Sequence, residues 1–358
     1  MNPNCHLWEG ELKSVSVPKN LPCFAGASRE EAMELLWKWE YGCPLPLPDQ
    51  LEFREVRQEE GALAGKAVHR WMEAEARWKE GSFTFPFHVM CPKAQAPVPG
   101  VVLLNFTPAV PDFYLPSEEL CDLGLAVASF CYEDVSPDDG DFQSKLGAAL
   151  SIDRSRLDAP GKLMLWAWAA RLVGQYLGSL PEVDPHWLAV AGHSRLGKAA
   201  LLAGALDPQF QVVFSNDSGC AGAALYRGKT GETWADIGRV FPFWFCPPFS
   251  QKVPAPEDLP FDQHFLLSLM APRRLYVASA VEDLWADPTA EFRACVAASS
   301  AYEALGLPGL VCPEGAPQVG QAYHQGRIGY HLRPGGHFLS REDWRLFAAY
   351  LRAQKSVP

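Results

Sequence analysis

Residues 187–200, WLAVAGHSRLGKAA, contain the pattern that decides the fold. The first five are an apolar run typical of a buried strand, and an Ala-rich helical pattern closes the stretch. Ser194 lies between them, with Gly192 and Gly197 on either side. Such a strand, tight turn and helix lifts a serine hydroxyl above a helix N-terminus, where backbone N–H groups stabilise an oxyanion. The spacing G-x-S-x-x-G is common by chance, and a helix N-cap serine is the alternative, so the flanking strand and helix carry the prediction of a nucleophile.

Strands and helices alternate along the rest of the chain. Further apolar runs typical of strands lie at residues 101–106, 125–132, 210–214, 275–280 and 328–333. Helical patterns lie at residues 162–177, 199–206, 264–270, 290–305 and 341–352. This alternation predicts an α/β protein with a mostly parallel central sheet between two helical layers.

The chain is predicted to form one catalytic domain over residues 1–358. Residues 1–95 have a helical stretch near 30–39, a Pro-rich segment at 43–49 and strand-like pieces between 52 and 89. We interpret this part as peripheral strands and loops, and residues 96–358 as the core.

Composition excludes several classes of function. Hydrophobic residues make up 48% of the chain and charged residues 20%, as in a soluble globular protein. A formal net charge of -11 without a basic run argues against a nucleic-acid partner. No stretch is apolar enough to span a bilayer, so we expect no membrane partner.

The first residues and the cysteines predict the compartment. Residues 1–12 have neither the cationic start nor the apolar run of a signal peptide, so we expect a cytoplasmic protein, although a secreted chain trimmed of its leader would look the same. The ten cysteines form no CxxC pair and no zinc-ligand cluster. We therefore expect mostly buried thiols, with one or two disulfides as the alternative, and no metal.

A nucleophilic serine needs a general base later in the chain. His337 ends a glycine-rich turn, residues 334–337, after the last predicted strand, and it is our candidate. His264 begins a predicted helix and His331 lies inside a strand, so both are interpreted as structural.

Two carboxylates compete to orient that histidine. Asp283 follows the strand at residues 275–280, the usual place for the acid, and Asp217 follows the strand before it. Asp287 precedes a proline and is interpreted as a helix cap. The sequence leaves the choice between Asp283 and Asp217 open.

Together these motifs resemble the glucuronoyl esterases, carbohydrate esterases of the α/β-hydrolase fold that cleave esters between lignin alcohols and 4-O-methyl-glucuronic acid on xylan. The resemblance runs from about residue 105 to 344 and is closer to the bacterial than to the fungal branch. The motifs that carry it lie at residues 192–198, 215–220, 259–264, 282–288 and 333–337.

The resemblance implies roles that residue patterns alone do not supply. It places the Arg195 side chain in the oxyanion hole and Lys198 on sugar hydroxyls. It also implies that Glu232 contacts the glucuronate ring and that Trp285 stacks on the sugar. Without it, Lys198 and Glu232 would be solvated residues and Trp285 a packing residue. It also implies the triad acid at Asp283 in several bacterial members and at the position of Asp217 in fungal ones.

The predicted function is therefore serine-dependent hydrolysis of a uronate ester, with a small molecule or oligosaccharide as substrate and no cofactor. The oligomeric state is not predicted. An acetyl xylan esterase or another small carboxylesterase is the alternative, and a non-catalytic binding protein on the same scaffold is a remote one. The loops between residues 135 and 163 are polar and show no pattern that points to substrate contact.

Overall fold

The centre of the fold is one large β-sheet. The computed structural model describes residues 16–24, 28–251 and 255–356, and within these ranges the sheet has ten strands. In chain order they are β1 (Gln50–Ala62), β2 (Ala67–Trp78), β3 (Gly81–Pro92), β4 (Val98–Asn105), β5 (Ala126–Cys131), β6 (Val183–His193), β7 (Val212–Asn216), β8 (Arg274–Ala280), β9 (Gln321–Tyr323) and β10 (Ile328–Arg333). Their order across the sheet is β1-β2-β3-β5-β4-β6-β7-β8-β10-β9.

The middle of the sheet is parallel and both of its ends are antiparallel. Strands β5, β4, β6, β7, β8 and β10 run in one direction. Strands β1 to β3 pair antiparallel with one another, and β3 joins the parallel part through β5. The strand-like pieces predicted near the N-terminus thus extend the central sheet at one edge.

Eleven α-helices lie within the described ranges. They are α1 (Arg29–Leu36), α2 (Ser117–Asp122), α3 (Tyr132–Val135), α4 (Lys145–Ala149), α5 (Lys162–Ser179), α6 (Arg195–Leu206), α7 (Trp234–Val240), α8 (Pro247–Gln251), α9 (His264–Ser268), α10 (Pro288–Glu303) and α11 (Arg341–Lys355). A π-helical turn at Trp37–Tyr41 follows α1, and a 3₁₀ turn at Pro242–Trp244 follows α7.

Helices cover both faces of the sheet. Successive side chains of a strand point to opposite faces, so Val102 and Val190 pack in the core that contains α5 and α6, whereas Val101 and Ala189 pack in the core that contains α11. Burial on both faces explains why these strands are continuous apolar runs in the sequence. The predicted three-layer α/β-hydrolase fold is confirmed.

The carboxyl ends of the parallel strands bring the candidate site together. Ser194 follows β6, Asp217 follows β7, Asp283 follows β8 and His337 follows β10. Because β6, β7, β8 and β10 are parallel neighbours, their carboxyl ends share one edge of the sheet.

Among the residues that the structure describes, no helix has the length and hydropathy needed to cross a bilayer. The nine cysteines among these residues are free, and the buried ones are Cys91, Cys121, Cys131, Cys220, Cys246 and Cys295. The cytoplasmic location stays a prediction.

Candidate active site

Ser194 occupies a strained turn between β6 and α6. Its backbone has φ 57° and ψ -127°, a conformation that non-glycine residues adopt at a cost of about 1–3 kcal/mol. A Cβ atom on Gly192 would lie 2.1 Å from the Leu196 carbonyl oxygen, so only glycine fits there. A Cβ atom on Gly197 would lie 2.9 Å from the Ser218 Cβ atom. The G-x-S-x-x-G spacing therefore reflects two close backbone approaches around the serine.

His337 connects the serine to one of the two acids. Its Nε2 atom lies 2.8 Å from Ser194 Oγ, and its Nδ1 atom lies 2.5 Å from Asp283 Oδ2. The imidazole is partly exposed, with 44% of its side chain accessible, whereas Asp283 is buried. The other Asp283 oxygen accepts a hydrogen bond of 3.2 Å from Ala286 N, which fixes the carboxylate. A neutral imidazole with its proton on Nδ1 is set to accept the serine proton at Nε2.

Asp217, the second candidate acid, has other partners. Its Oδ1 atom accepts a hydrogen bond of 2.8 Å from Ala280 N, and its Oδ2 atom lies 3.4 Å from Arg333 Nη2. Burial, followed by the nearby carboxylates of Glu291 and Asp283, raises the pKa of Asp217 well above its ordinary value. This arrangement favours Asp283 as the acid that orients the histidine.

Three side chains of the site lie close enough together to hold a cation. Ligand atoms of Asp217, Asp283 and His337 lie within 4.8 Å of one another. Both nitrogens of His337 are already engaged, by Asp283 and Ser194. Of the three groups, His337 and Asp283 are thus engaged in the hydrogen-bond chain to the serine, and Asp217 accepts from Ala280 N. The absence of a metal stays a prediction.

His193 forms the floor beneath the base. Its ring centroid is 4.4 Å from that of His337, and its Nδ1 atom lies 2.6 Å from Asn216 Oδ1. Burial and then repulsion by His337 lower the pKa of His193 to about 3, so it is neutral near pH 7. It packs against the base without adding charge.

Arg195 is held among aromatic rings beside the nucleophile. Its guanidinium carbon is 5.0 Å from the Trp244 ring, 5.6 Å from Phe241 and 5.9 Å from Phe106. In this fold the second oxyanion donor is ordinarily a backbone N–H from the loop after the strand that corresponds to β4. Here the first loop N–H, of Phe106, donates instead to Asn105 Oδ1 at 2.9 Å. A charged side-chain donor at Arg195 is suited to replace it.

Lys198 and Trp285 depart from the roles that local sequence alone suggests, whereas Glu232 is partly exposed. Lys198 is buried, and its ammonium group donates to the Ser218 carbonyl and, at 2.6 Å, to the Cys220 carbonyl. Burial lowers its pKa, while Glu232 opposes that shift. Trp285 is 60% exposed and is therefore no core residue. The Glu232 N–H donates to the Trp285 carbonyl at 2.9 Å, which joins the two loops.

One cavity of about 370 Å³ unites the candidate residues. Its lining includes all of those predicted from the sequence, namely Ser194, Arg195, Lys198, Asp217, Glu232, Asp283, Trp285 and His337. The sequence reasoning missed Phe241 and Trp244, which form an aromatic wall with ring centroids 3.9 Å apart. The aromatic run at residues 241–245 was the available signal.

The structure also places the three polar residues that the sequence analysis interpreted as structural. Asp287 caps α10, as predicted, by accepting from Ala290 N, and it also accepts from the N–H groups of Thr230 and Gly231. His264 is buried at the start of α9, with Nε2 3.0 Å from the Pro22 carbonyl. His331 is buried in β10, where it contacts the Tyr276 hydroxyl and the Asp343 carboxylate.

A serine on a strained turn, a histidine within hydrogen-bond distance and a buried acid behind it define a serine hydrolase of the α/β-hydrolase fold. The family model for "Glucuronyl esterase, fungi" matches residues 75–306. The chain belongs to the glucuronoyl esterase family, as the sequence motifs predicted. Members of that family are carboxylic ester hydrolases.

Individual relatives agree with this placement. Carbohydrate esterase MZ0003 of an unknown prokaryotic organism is 42% identical over 190 residues, which are 53% of this chain and 44% of that protein. A 4-O-methyl-glucuronoyl methylesterase of Schizophyllum commune is 28% identical over 294 residues, 78% of this chain and 68% of that one. A solved glucuronoyl esterase from Solibacter usitatus superposes with a TM-score of 0.82 at 27% identity, covering 96% of this chain and 100% of the other. The chain thus aligns with less than half the length of the prokaryotic relative.

Proposed function

We propose that this protein hydrolyses esters of 4-O-methyl-glucuronic acid or a closely related uronate. The observation that carries the proposal is the shared cavity, in which Ser194 and His337 lie beside Lys198, Glu232 and Trp285. Its volume of about 370 Å³ is within the range of about 300–1,000 Å³ that is usual for small-molecule sites. A flat indole face, an ammonium group and a carboxylate together suit a pyranose ring with hydroxyl groups.

The proposed reaction is a two-step acyl transfer. His337 Nε2 takes the Ser194 proton as the oxygen attacks the ester carbonyl, and the new oxyanion faces the Arg195 N–H groups. The tetrahedral intermediate collapses when the imidazolium donates its proton to the departing alcohol. A water molecule, deprotonated by His337, then releases the uronic acid and restores the serine hydroxyl.

The first experiment removes the nucleophile. Ser194→Ala is expected to lower kcat on benzyl glucuronate by about 10⁴-fold or more, since the hydroxyl forms the covalent bond. It should also abolish labelling by a fluorophosphonate probe. The matched control is Ser179→Ala, at the exposed end of α5, which should retain wild-type rate and labelling. Persistent turnover in Ser194→Ala would contradict the proposal.

A comparison of a glucuronate ester with a simple acetate ester tests the substrate class. Trp285→Ala and Glu232→Ala should reduce kcat/KM on benzyl glucuronate by about tenfold or more relative to an aryl acetate, because only the glucuronate has a sugar ring with hydroxyl groups to contact. Trp187→Ala, near the middle of β6 and outside the cavity lining, should leave that ratio unchanged. Equal losses on both substrates would favour a general carboxylesterase.

A further inference from the structure

Asp138 lies behind the cavity, in the segment between α3 and α4 where the sequence showed no functional pattern. Only 10% of its side chain is accessible. Its carboxylate accepts from the Arg195 guanidinium, from Trp244 Nε1 at 2.6 Å and from the Tyr132 hydroxyl at 3.2 Å. One carboxylate therefore links the helix that follows the nucleophile, the aromatic wall and α3.

The segment that carries Asp138 is itself anchored from below. Lys162, fully buried at the start of α5, donates to Ser136 Oγ at 2.8 Å and to the Asp141 carbonyl. Trp166 Nε1 donates to the Ser136 carbonyl at 3.0 Å. Because these bonds hold residues on both sides of Asp138, its carboxylate has a fixed position relative to α5.

Arg195 needs such an anchor. A long side chain loses considerable rotamer freedom when it is fixed, and 29% of this one is accessible to solvent. The three aromatic rings around its guanidinium limit where the group can lie, but they do not fix the direction in which its N–H groups point. The ion pair with Asp138 occupies Nη1, whereas Nε is buried without a hydrogen-bond partner among the described residues. Asp138 thus holds the guanidinium through Nη1, while its other N–H groups remain available as donors.

We propose that Asp138 is a positioning residue that fixes the Arg195 guanidinium beside Ser194 and acts on ester hydrolysis through Arg195. This inference rests on the proposed function. The proposed contacts with the uronate ring are made by Lys198, Glu232 and Trp285 and not by Asp138, so loss of Asp138 should affect kcat much more than KM.

A double-mutant cycle tests the coupling. Asp138→Asn keeps an oxygen that accepts from Trp244 but replaces the charge that faces Arg195. It is expected to lower kcat by about 10- to 100-fold, with KM changed by less than about threefold, because small misplacement of a catalytic group is costly. Arg195→Met keeps the packed stem without the charge. In that background, adding Asp138→Asn should change kcat by less than about twofold.

Controls separate this role from a structural one. Asp139→Asn makes the same change at the adjacent exposed residue and should leave both parameters unchanged. Equal fold-losses from Asp138→Asn in the wild-type and Arg195→Met backgrounds would overturn the proposal. So would a loss confined to KM, or unchanged kinetics.

The cycle is measured on benzyl glucuronate, on an aryl acetate and as the rate of fluorophosphonate labelling of Ser194. Negative charge also develops on the phosphoryl oxygen in the transition state of phosphonylation, so the labelling rate should report the same coupling. If only the glucuronate is not turned over, the proposed substrate is wrong while the Asp138–Arg195 coupling is still decided by the other two measurements.

Discussion

The loops after β7 and β8 place the same residue type at neighbouring strand ends, yet the two carboxylates have different environments. Asp283 hydrogen-bonds the base, whereas the oxygens of Asp217 face Ala280 N and Arg333. The position of a carboxylate at the edge of the sheet where the site lies therefore does not assign its role by itself. The donors that each backbone presents decide which acid remains available to the histidine.

Among the changes that test this comparison of the two loops, the largest effect is expected from Asp283→Asn. We expect kcat on benzyl glucuronate to fall by about 10³–10⁴-fold, because the imidazole loses both its tautomer control and the stabilisation of its cation. The adjacent exposed residue provides the control, Glu282→Gln, which should keep wild-type kcat. If Asp283→Asn kept more than a tenth of the wild-type rate, the contrast between the loops would be wrong.

An intermediate effect is expected from Glu291, whose carboxylate joins the loop after β7 to strand β8. Its carboxylate accepts from Gly219 N at 2.8 Å and from Ser279 Oγ at 2.5 Å. Burial raises the pKa of Glu291 from 4.5 to about 7, so the folded state holds the proton more tightly than the unfolded state. Its contribution to the free energy of unfolding is therefore greatest below pH 4.5 and is lost as the pH rises to about 7.

Denaturant unfolding at several pH values measures that loss. On the order of 3 kcal/mol of the free energy of unfolding should be lost between pH 4.5 and 7 because Glu291 ionises. Glu291→Gln should flatten the profile by that amount, whereas Glu303→Gln, exposed at the end of the same helix, should not. Identical slopes in Glu291→Gln and the wild type would show that Glu291 is not the linked group.

The smallest effect is expected from Asp217→Asn. Because the pKa of Asp217 is raised, an isosteric amide resembles its protonated form, and Arg333 keeps its bonds of 2.9 and 2.8 Å to Asp343. We expect kcat to fall by less than about tenfold. The double variant with Asp283→Asn should be little slower than Asp283→Asn alone. A much slower double variant would mean that Asp217 substitutes for Asp283.

The pattern of hydrophobic residues in the sequence predicted the fold well where strands are buried on both faces. The predicted helix at residues 162–177 corresponds to α5, Lys162–Ser179. Boundaries were less accurate, because apolarity reports burial rather than strand pairing. Phe210 is fully buried but precedes β7, and α6 begins at Arg195 rather than residue 199 because the turn at Ser194 leads directly into the helix.

The site was predictable where chemistry follows chain order. Ser194 and His337 lie at strand ends that a parallel sheet must bring to one edge, and the cavity includes both. The choice between Asp283 and Asp217 needed backbone donors that no pattern reveals. Asp138 was missed because its contact with Arg195 spans 57 residues, and a lone acid in a polar loop carries no periodic signal.

The backbone bond from Glu232 to Trp285, together with Asp287 on Gly231, joins two loops that are far apart in the chain. Trp285 is only two residues from Asp283. An insertion or deletion in either loop is consequently expected to displace Asp283 along with Glu232 and Trp285. Point substitutions that keep both loop lengths are therefore expected to change the proposed sugar contacts without displacing Asp283.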